Sequence, residues 1–227
     1  MKVGLALSVP SISLLLLSGC ASKAYEPLKK DIKNTVVTSE NGSTITVEDL
    51  MFLEEYNDSQ LRLITRQDTA NMVAAKTVQA IAGMFLGIGV RNFDKNDLKG
   101  HFITTQSNPF KDFLTPQIIE ITKAEMDKRD KKSYEGTINV MPDKWRLVYK
   151  NLAGGDDNYQ LILNVSFSHV VKDRRQDLSC DSMTFNKKEY TLPEWQANNY
   201  AKVTEVSHQI MDTCAKAFSQ QAGAFLF

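Results

Sequence analysis

The chain has 227 residues, and its 27 lysines and arginines balance 27 aspartates and glutamates, so the formal net charge is zero. Hydrophobic residues make up 42% and charged residues 24%, the balance of a folded globular protein rather than a disordered or fibrous one. With no basic excess, nucleic acid and acidic polymers are not indicated as partners.

Residues 1–19 read as a secretory signal peptide: Lys2, then an apolar run from Val3 to Leu17 interrupted by Pro10, then small residues. The run is too short for an ordinary membrane-spanning helix. Its end, Leu17-Ser18-Gly19-Cys20, resembles the lipobox of bacterial lipoproteins. That resemblance implies cleavage before Cys20, lipid on the Cys20 sulfur and acylation of the new amino terminus. Several acyl chains hold a protein durably where one does not. Ala21 stands where aspartate would signal inner-membrane retention. In a Gram-negative cell this implies an outer-membrane anchor with the domain facing the periplasm. The chain then divides into a signal peptide (1–19), a lipidated tether (20–45) and a single globular domain (46–227).

Along that domain, the pattern predicts a short helix over Val47–Tyr56 and a longer one over 58–88. In the longer helix Ala74, Val78, Ile81, Phe85 and Ile88 share one helical face. Residues 91–111 read as loop, and Thr115-Pro116 as the start of another helix. Strands follow over Thr137–Met141 and Trp145–Tyr149, with a hairpin loop over 151–158. The clearest strand comes next: Leu161, Leu163, Val165, Phe167, His169 and Val171 share one face, and Asn164, Ser166 and Ser168 the other. A turn at Asp173-Arg174-Arg175 leads to a third strand over Leu178–Phe185. A final helix from about Pro193 to Ala222 buries Trp195, Val203, Val206, Ile210, Cys214 and Ala217. The expected fold is α+β: N-terminal helices, then an antiparallel three- to four-stranded meander, then a long C-terminal helix.

With Cys20 lipidated, Cys180 and Cys214 are left with one pairing, and exported proteins keep disulfides. The three histidines, His101, His169 and His208, fall on different elements without metal-ligand spacing. His169 lies on the inward face of its strand and reads as a hydrogen-bonded core residue, His208 as exposed. Asp156-Asp157 lacks the further oxygen ligands of a cation loop. No G-x-S-x-G elbow occurs. The sequence therefore reads as a binder, not an enzyme, with no catalytic residue, metal or cofactor assigned. The loops bearing Asp156, Asp157, Arg174 and Arg175 are its expected partner contacts, since loops commonly carry recognition.

Two passages, GIGVRNFDKNDLKGHFI and NPFKDFLTPQIIE, taken with the leader and the strand-then-helix ending, resemble lipoproteins that act as immunity proteins to type VI secreted lipase effectors. The resemblance implies a membrane-anchored periplasmic protein that masks a secreted phospholipase. Two other classes compete with it: a structural or pilotin-like assembly lipoprotein of an envelope machine, and a lipid-binding carrier or sensor.

Overall fold

Among the described residues strands outweigh helices, and several of them alternate inward apolar with outward polar residues. The computed structural model describes residues 29–52, 58–74, 95–129, 135–151, 157–172 and 174–227. Eight strands form one curled mixed sheet: β1 (Lys29–Thr38), β2 (Thr44–Phe52), β3 (Gln60–Ile64), β4 (His101–Ser107), β5 (Glu135–Tyr149), β6 (Asn158–Val171), β7 (Arg174–Asp181) and β8 (Glu189–Thr191). The helices are α1 (66–74), α2 (Phe110–Asp127) and α3 (Leu192–Leu226).

The antiparallel β5–β6 hairpin is the spine, and its register shifts between Pro142 and Trp145. Below that shift β2 runs parallel to β5 with β1 outside it, and β7 flanks β6. Beyond it β3 takes the place of β2, with β4 outside, and β8 takes the place of β7. The sheet is thus two five-stranded halves sharing one long hairpin.

One face packs on α2 and α3. Ile45, Val47, Ile138, Val140, Val165 and Phe167 meet Leu114, Ile118, Val206, Ile210 and Phe218 in one core. The two indoles are buried with their N–H groups satisfied: Trp145 Nε1 donates to Ser207 Oγ at 2.9 Å, and Trp195 Nε1 to the Tyr159 carbonyl at 3.0 Å. A disulfide joins Cys180 on β7 to Cys214 on α3, with Cα atoms 5.6 Å apart and 34 residues between them in sequence.

These observations overturn the expected order of N-terminal helices followed by a short meander. The stretch read as a helix from Val47 is β2: Ile45, Val47 and Asp49 turn inward while Thr44, Thr46 and Glu48 turn outward, a period of two. The long helix expected from Asp58 is replaced at its start by β3, and helix begins only at residue 66. There Asp68 accepts from the Thr65 backbone N–H at 2.7 Å and from its hydroxyl at 2.6 Å. Its remaining stretch, with the Phe85 and Ile88 face, lies outside the described residues. The expected loop over 91–111 contains β4, and α2 starts at Phe110, where Asn108 Oδ1 accepts from the Phe110 N–H at 3.1 Å. Pro116 therefore sits inside α2 rather than at its first position. The stretch read as a tether with one short strand or helical turn contains the ten-residue β1, so the sheet begins at Lys29.

The meander and the last helix do occur. Thr137–Met141 and Trp145–Tyr149 merge into β5, and β7 begins earlier than expected, at Arg174. Thr191 and Glu194 form a reciprocal cap at the start of α3. The helix is then interrupted at residues 197–200, where Asn198, Asn199 and Tyr200 are left-handed with φ of 50°, 53° and 62°. Asparagine enters that region more readily than most side chains.

Candidate partner-binding face

The strand registers define what the side of the lower half-sheet turned away from α2 and α3 presents, a side whose central Ser168 is itself buried. One row across it reads Val36, Thr46, Thr137, Val170, Arg175, and the next Asn34, Glu48, Asn139, Ser168, Asp177. Met141, Ser166 and Ser179 continue it on one side, and Thr38, Thr44 and Glu135 on the other. Five strands at about 4.8 Å spacing and four rows give a face of roughly 400–500 Å². Its centre is made of short hydroxyl and amide side chains, with charge confined to Glu48, Glu135, Arg175 and Asp177. Asn139 Nδ2 donates to Ser168 Oγ at 3.1 Å, which fixes the middle of the grid. Val36, an apolar side chain 63% exposed, lies at its margin on the edge strand.

The end of this face meets two clefts. One, of about 360 Å³, lies on the open side between Thr44, Thr46, Thr137, Val170 and Lys172. The other, of about 370 Å³, lies around the same sheet end, where Ile45, Val171, Leu226 and Phe227 give apolar walls and Glu135, Lys172, Arg174 and Gln176 a charged and polar rim. His169 also lines it. Its Nδ1 is 3.0 Å from the Phe225 carbonyl oxygen, which can only accept, so Nδ1 carries the proton. Nε2 is buried without a partner and faces Gly136, where an added Cβ would stand 2.6 Å away. Burial pushes this imidazole below the ordinary histidine range, and the Phe225 carbonyl only partly offsets that.

The other half-sheet is covered on the same side by residues 95–100. Asp58, buried, accepts from the Arg62 Nε and, at 2.6 Å, from the Arg146 Nε. The two guanidiniums then reach the covering segment, Arg62 donating to the Lys99 carbonyl at 2.7 Å and Arg146 to that of Asn96 at 2.8 Å. Asp58 Oδ2 also accepts from the Trp145 N–H at 2.9 Å. Every branch ends on a protein group, so the cluster fastens a loop to the sheet.

The expected contact residues separate. Arg174 and Arg175 are exposed at the start of β7, beside the clefts, with Arg175 paired to Asp177 at 2.8 Å. Asp157 is exposed and paired to Arg66 at 2.6 Å, but it precedes Asn158 at the opposite end of β6. Fourteen extended residues span roughly 45 Å, wider than one standard interface patch, so the two loops do not share a site. Asp156 and Cys20 lie outside the described residues. Cys180 and Cys214 are bonded to each other. His208 is half-buried and stacked on Phe113, with ring centroids 3.9 Å apart, where the sequence had implied exposure. The grid itself was missed because half of it lies in stretches read as tether and helix. Its signal was the alternation of Thr44, Thr46 and Glu48 with Ile45, Val47 and Asp49.

Comparison with protein-family models, with curated proteins and with solved structures finds no match.

Proposed function

We propose that this chain is a membrane-anchored lipoprotein that binds and masks a secreted lipase-class effector, using the open half-sheet and the adjoining sheet end as its contact surface. The observation that carries the reading is the five-strand face turned away from α2 and α3. It is centrally uncharged and built mostly of short side chains that let another protein approach closely. Its area is about half of the roughly 800 Å² that one partner gives to a standard interface, and the cleft rims supply more. An apolar-walled cleft beside such a face is a seat for one anchoring side chain of the partner, the arrangement that concentrates binding energy.

The location is supported separately. The Cys180–Cys214 disulfide belongs in an oxidising compartment. Lys29 follows Cys20 by few enough residues that the tether spans at most roughly 30 Å. The start of β1 thus stays near the membrane, and the Thr38–Thr44 end of the hairpin, where the clefts lie, points away from it.

The test is calorimetric titration of the purified domain with a secreted lipase, the product of a neighbouring gene that carries a G-x-S-x-G elbow being the candidate to try. One-to-one binding that is lost in Thr137→Arg, which places a long charge in the middle of the grid, supports the reading. Equal binding by Thr137→Arg would move the interface elsewhere, and no binding by the wild type would refute the effector assignment.

A further inference from the structure

The last turn of α3 packs Phe225 and Leu226 into the core, and two side chains of the sheet fasten its carbonyls. His169 on β6 holds the Phe225 carbonyl through Nδ1. Gln176 on β7, its amide oriented to satisfy both ends, donates to the Phe225 carbonyl at 2.9 Å and the Ala224 carbonyl at 3.1 Å. These are the carbonyls a helix leaves without intrahelical partners at its C-terminus. The ring of Phe225 packs against His169 and Phe218, with centroids 5.8 Å and 5.5 Å apart. Leu226 and Phe227 continue from this turn into the cleft wall.

His169 holds this carbonyl through an Nδ1–H, and only the neutral tautomer does so without a second N–H at buried Nε2. Its Nε2 lies against the backbone of Gly136, where nothing accepts a hydrogen bond. A second proton there would make a buried imidazolium with an unsatisfied donor, which is costly. The groups around it do not reverse that. Glu135 on β5 faces the cleft, but Lys172 at the β6–β7 turn and Arg174 on β7 face it too. Glu125 of α2 and Arg129 just beyond it approach Gly223, two residues before Phe225, and the Arg129 guanidinium lies over the Phe227 ring at 4.1 Å. The sheet also brings the apolar Ile45, Ile138 and Val171 and the neutral Gln176 to the neighbourhood of the ring. The negative end of α3 favours a cation at Nδ1, but that atom already carries its proton.

We propose that His169 is an acid-released latch: while neutral it fastens the last turn of α3 to the sheet, and on protonation that turn detaches and the cleft walled by Leu226 and Phe227 opens. β6 is held by neighbours on both sides along its length, so the helix end, not the strand, is the part that yields. In mildly acidic surroundings the domain would expose Phe225, Leu226 and Phe227 while the rest of the sheet and the disulfide stay intact. The inference is independent of which partner the open face binds.

The test is hydrogen exchange by mass spectrometry on the intact disulfide-bonded protein at about pH 7.5 and about pH 5, a range in which histidine titrates, with rates corrected for intrinsic exchange. The expected result is a several-fold loss of protection confined to the peptide ending at Phe227, with the peptides of α2 and β6 unchanged. His169→Asn keeps an N–H donor near the Phe225 carbonyl but cannot be protonated, so it should remain protected at both values. The wild type supplies a second readout: histidine-ring NMR should show His169 as the Nδ1–H tautomer near neutrality, protonating in step with the loss of protection. Unchanged protection in acid, an equal loss in His169→Asn, or an Nε2–H tautomer would each overturn the latch.

Discussion

Two aspartates, both buried on a sheet strand or beside one, behave in opposite ways because of what surrounds them. Asp58 holds two guanidiniums and a backbone N–H, so its charge is compensated where it sits. Asp58→Ala leaves Arg62 and Arg146 buried without a counter-charge, and breaking such a cluster costs about 3–5 kcal/mol. Urea denaturation should show that loss, whereas a change within a few tenths of a kcal/mol would mean that water reaches the cluster. Asp49 has a weaker setting. Burial drives its carboxyl above the ordinary range, opposed by the Thr115 hydroxyl, which donates at 2.5 Å, and by Lys111 and Lys33. Its folded carboxyl therefore holds a proton at pH values where the unfolded one, with a pKa of about 3.9, has lost it. This group's contribution falls as pH rises through that window and is unfavourable above it. Asp49→Asn, which still accepts from Thr115, is expected to raise stability at neutral pH and to lessen the difference between neutral and mildly acidic solution. Denaturation at both pH values checks the sign, and a destabilised Asp49→Asn would show that the charge is needed. Gly136→Ala is expected to cost about 1–3 kcal/mol, because the added methyl overlaps the His169 ring and overpacking carries that penalty.

At the scale of elements, the disulfide fastens the edge strand β7 to α3, the helix that covers the lower half-sheet. Replacing both cysteines by alanine should lower stability by about 2–5 kcal/mol and separate α3 from β7 before the β5–β6 hairpin is lost. Denaturation in the presence and absence of reductant measures it, and coincident curves would contradict the clasp. The parts of this fold legible in the sequence are those whose two faces differ sharply. β6 alternates core and polar residues over its whole length, and the stripe of α3 carries Cys214 inward, so the strand, the helix and the bond joining them were all readable. β2 and β3 were not. Asp49 puts a carboxyl on the inward face of β2, buried because the distant Thr115 receives it, and β3 is too short, with Leu61, Arg62, Leu63 and Ile64 all buried, to show a period of two. Long-range polar partners of this kind leave no local pattern. The same applies to α2, whose start is fixed by the Asn108 side chain while Thr115-Pro116 offers a stronger but unused signal. The open face could not be read at all without register, because its rows are assembled from five separate strands.

On the proposed reading, the anchored end and the binding surface sit at opposite ends of β1. β1 leaves the tether at Lys29 and delivers the chain, a strand's length away, to the hairpin end beside Glu135, Lys172 and Arg174. Cys20→Ser should release the protein from the membrane fraction and abolish acyl labelling without altering the folded domain. Retention of Cys20→Ser in that fraction would show that something other than the lipid holds it. Tethering matters to the proposed role because a mask must meet its target before the target reaches phospholipid, and confinement at the membrane raises its effective concentration there. The most direct test is growth of cells that secrete the candidate lipase into the periplasm, with and without this protein. The account predicts that wild-type protein restores growth and that Thr137→Arg, equally abundant and disulfide-bonded, does not. Undiminished toxicity beside folded, membrane-localised wild-type protein would contradict it.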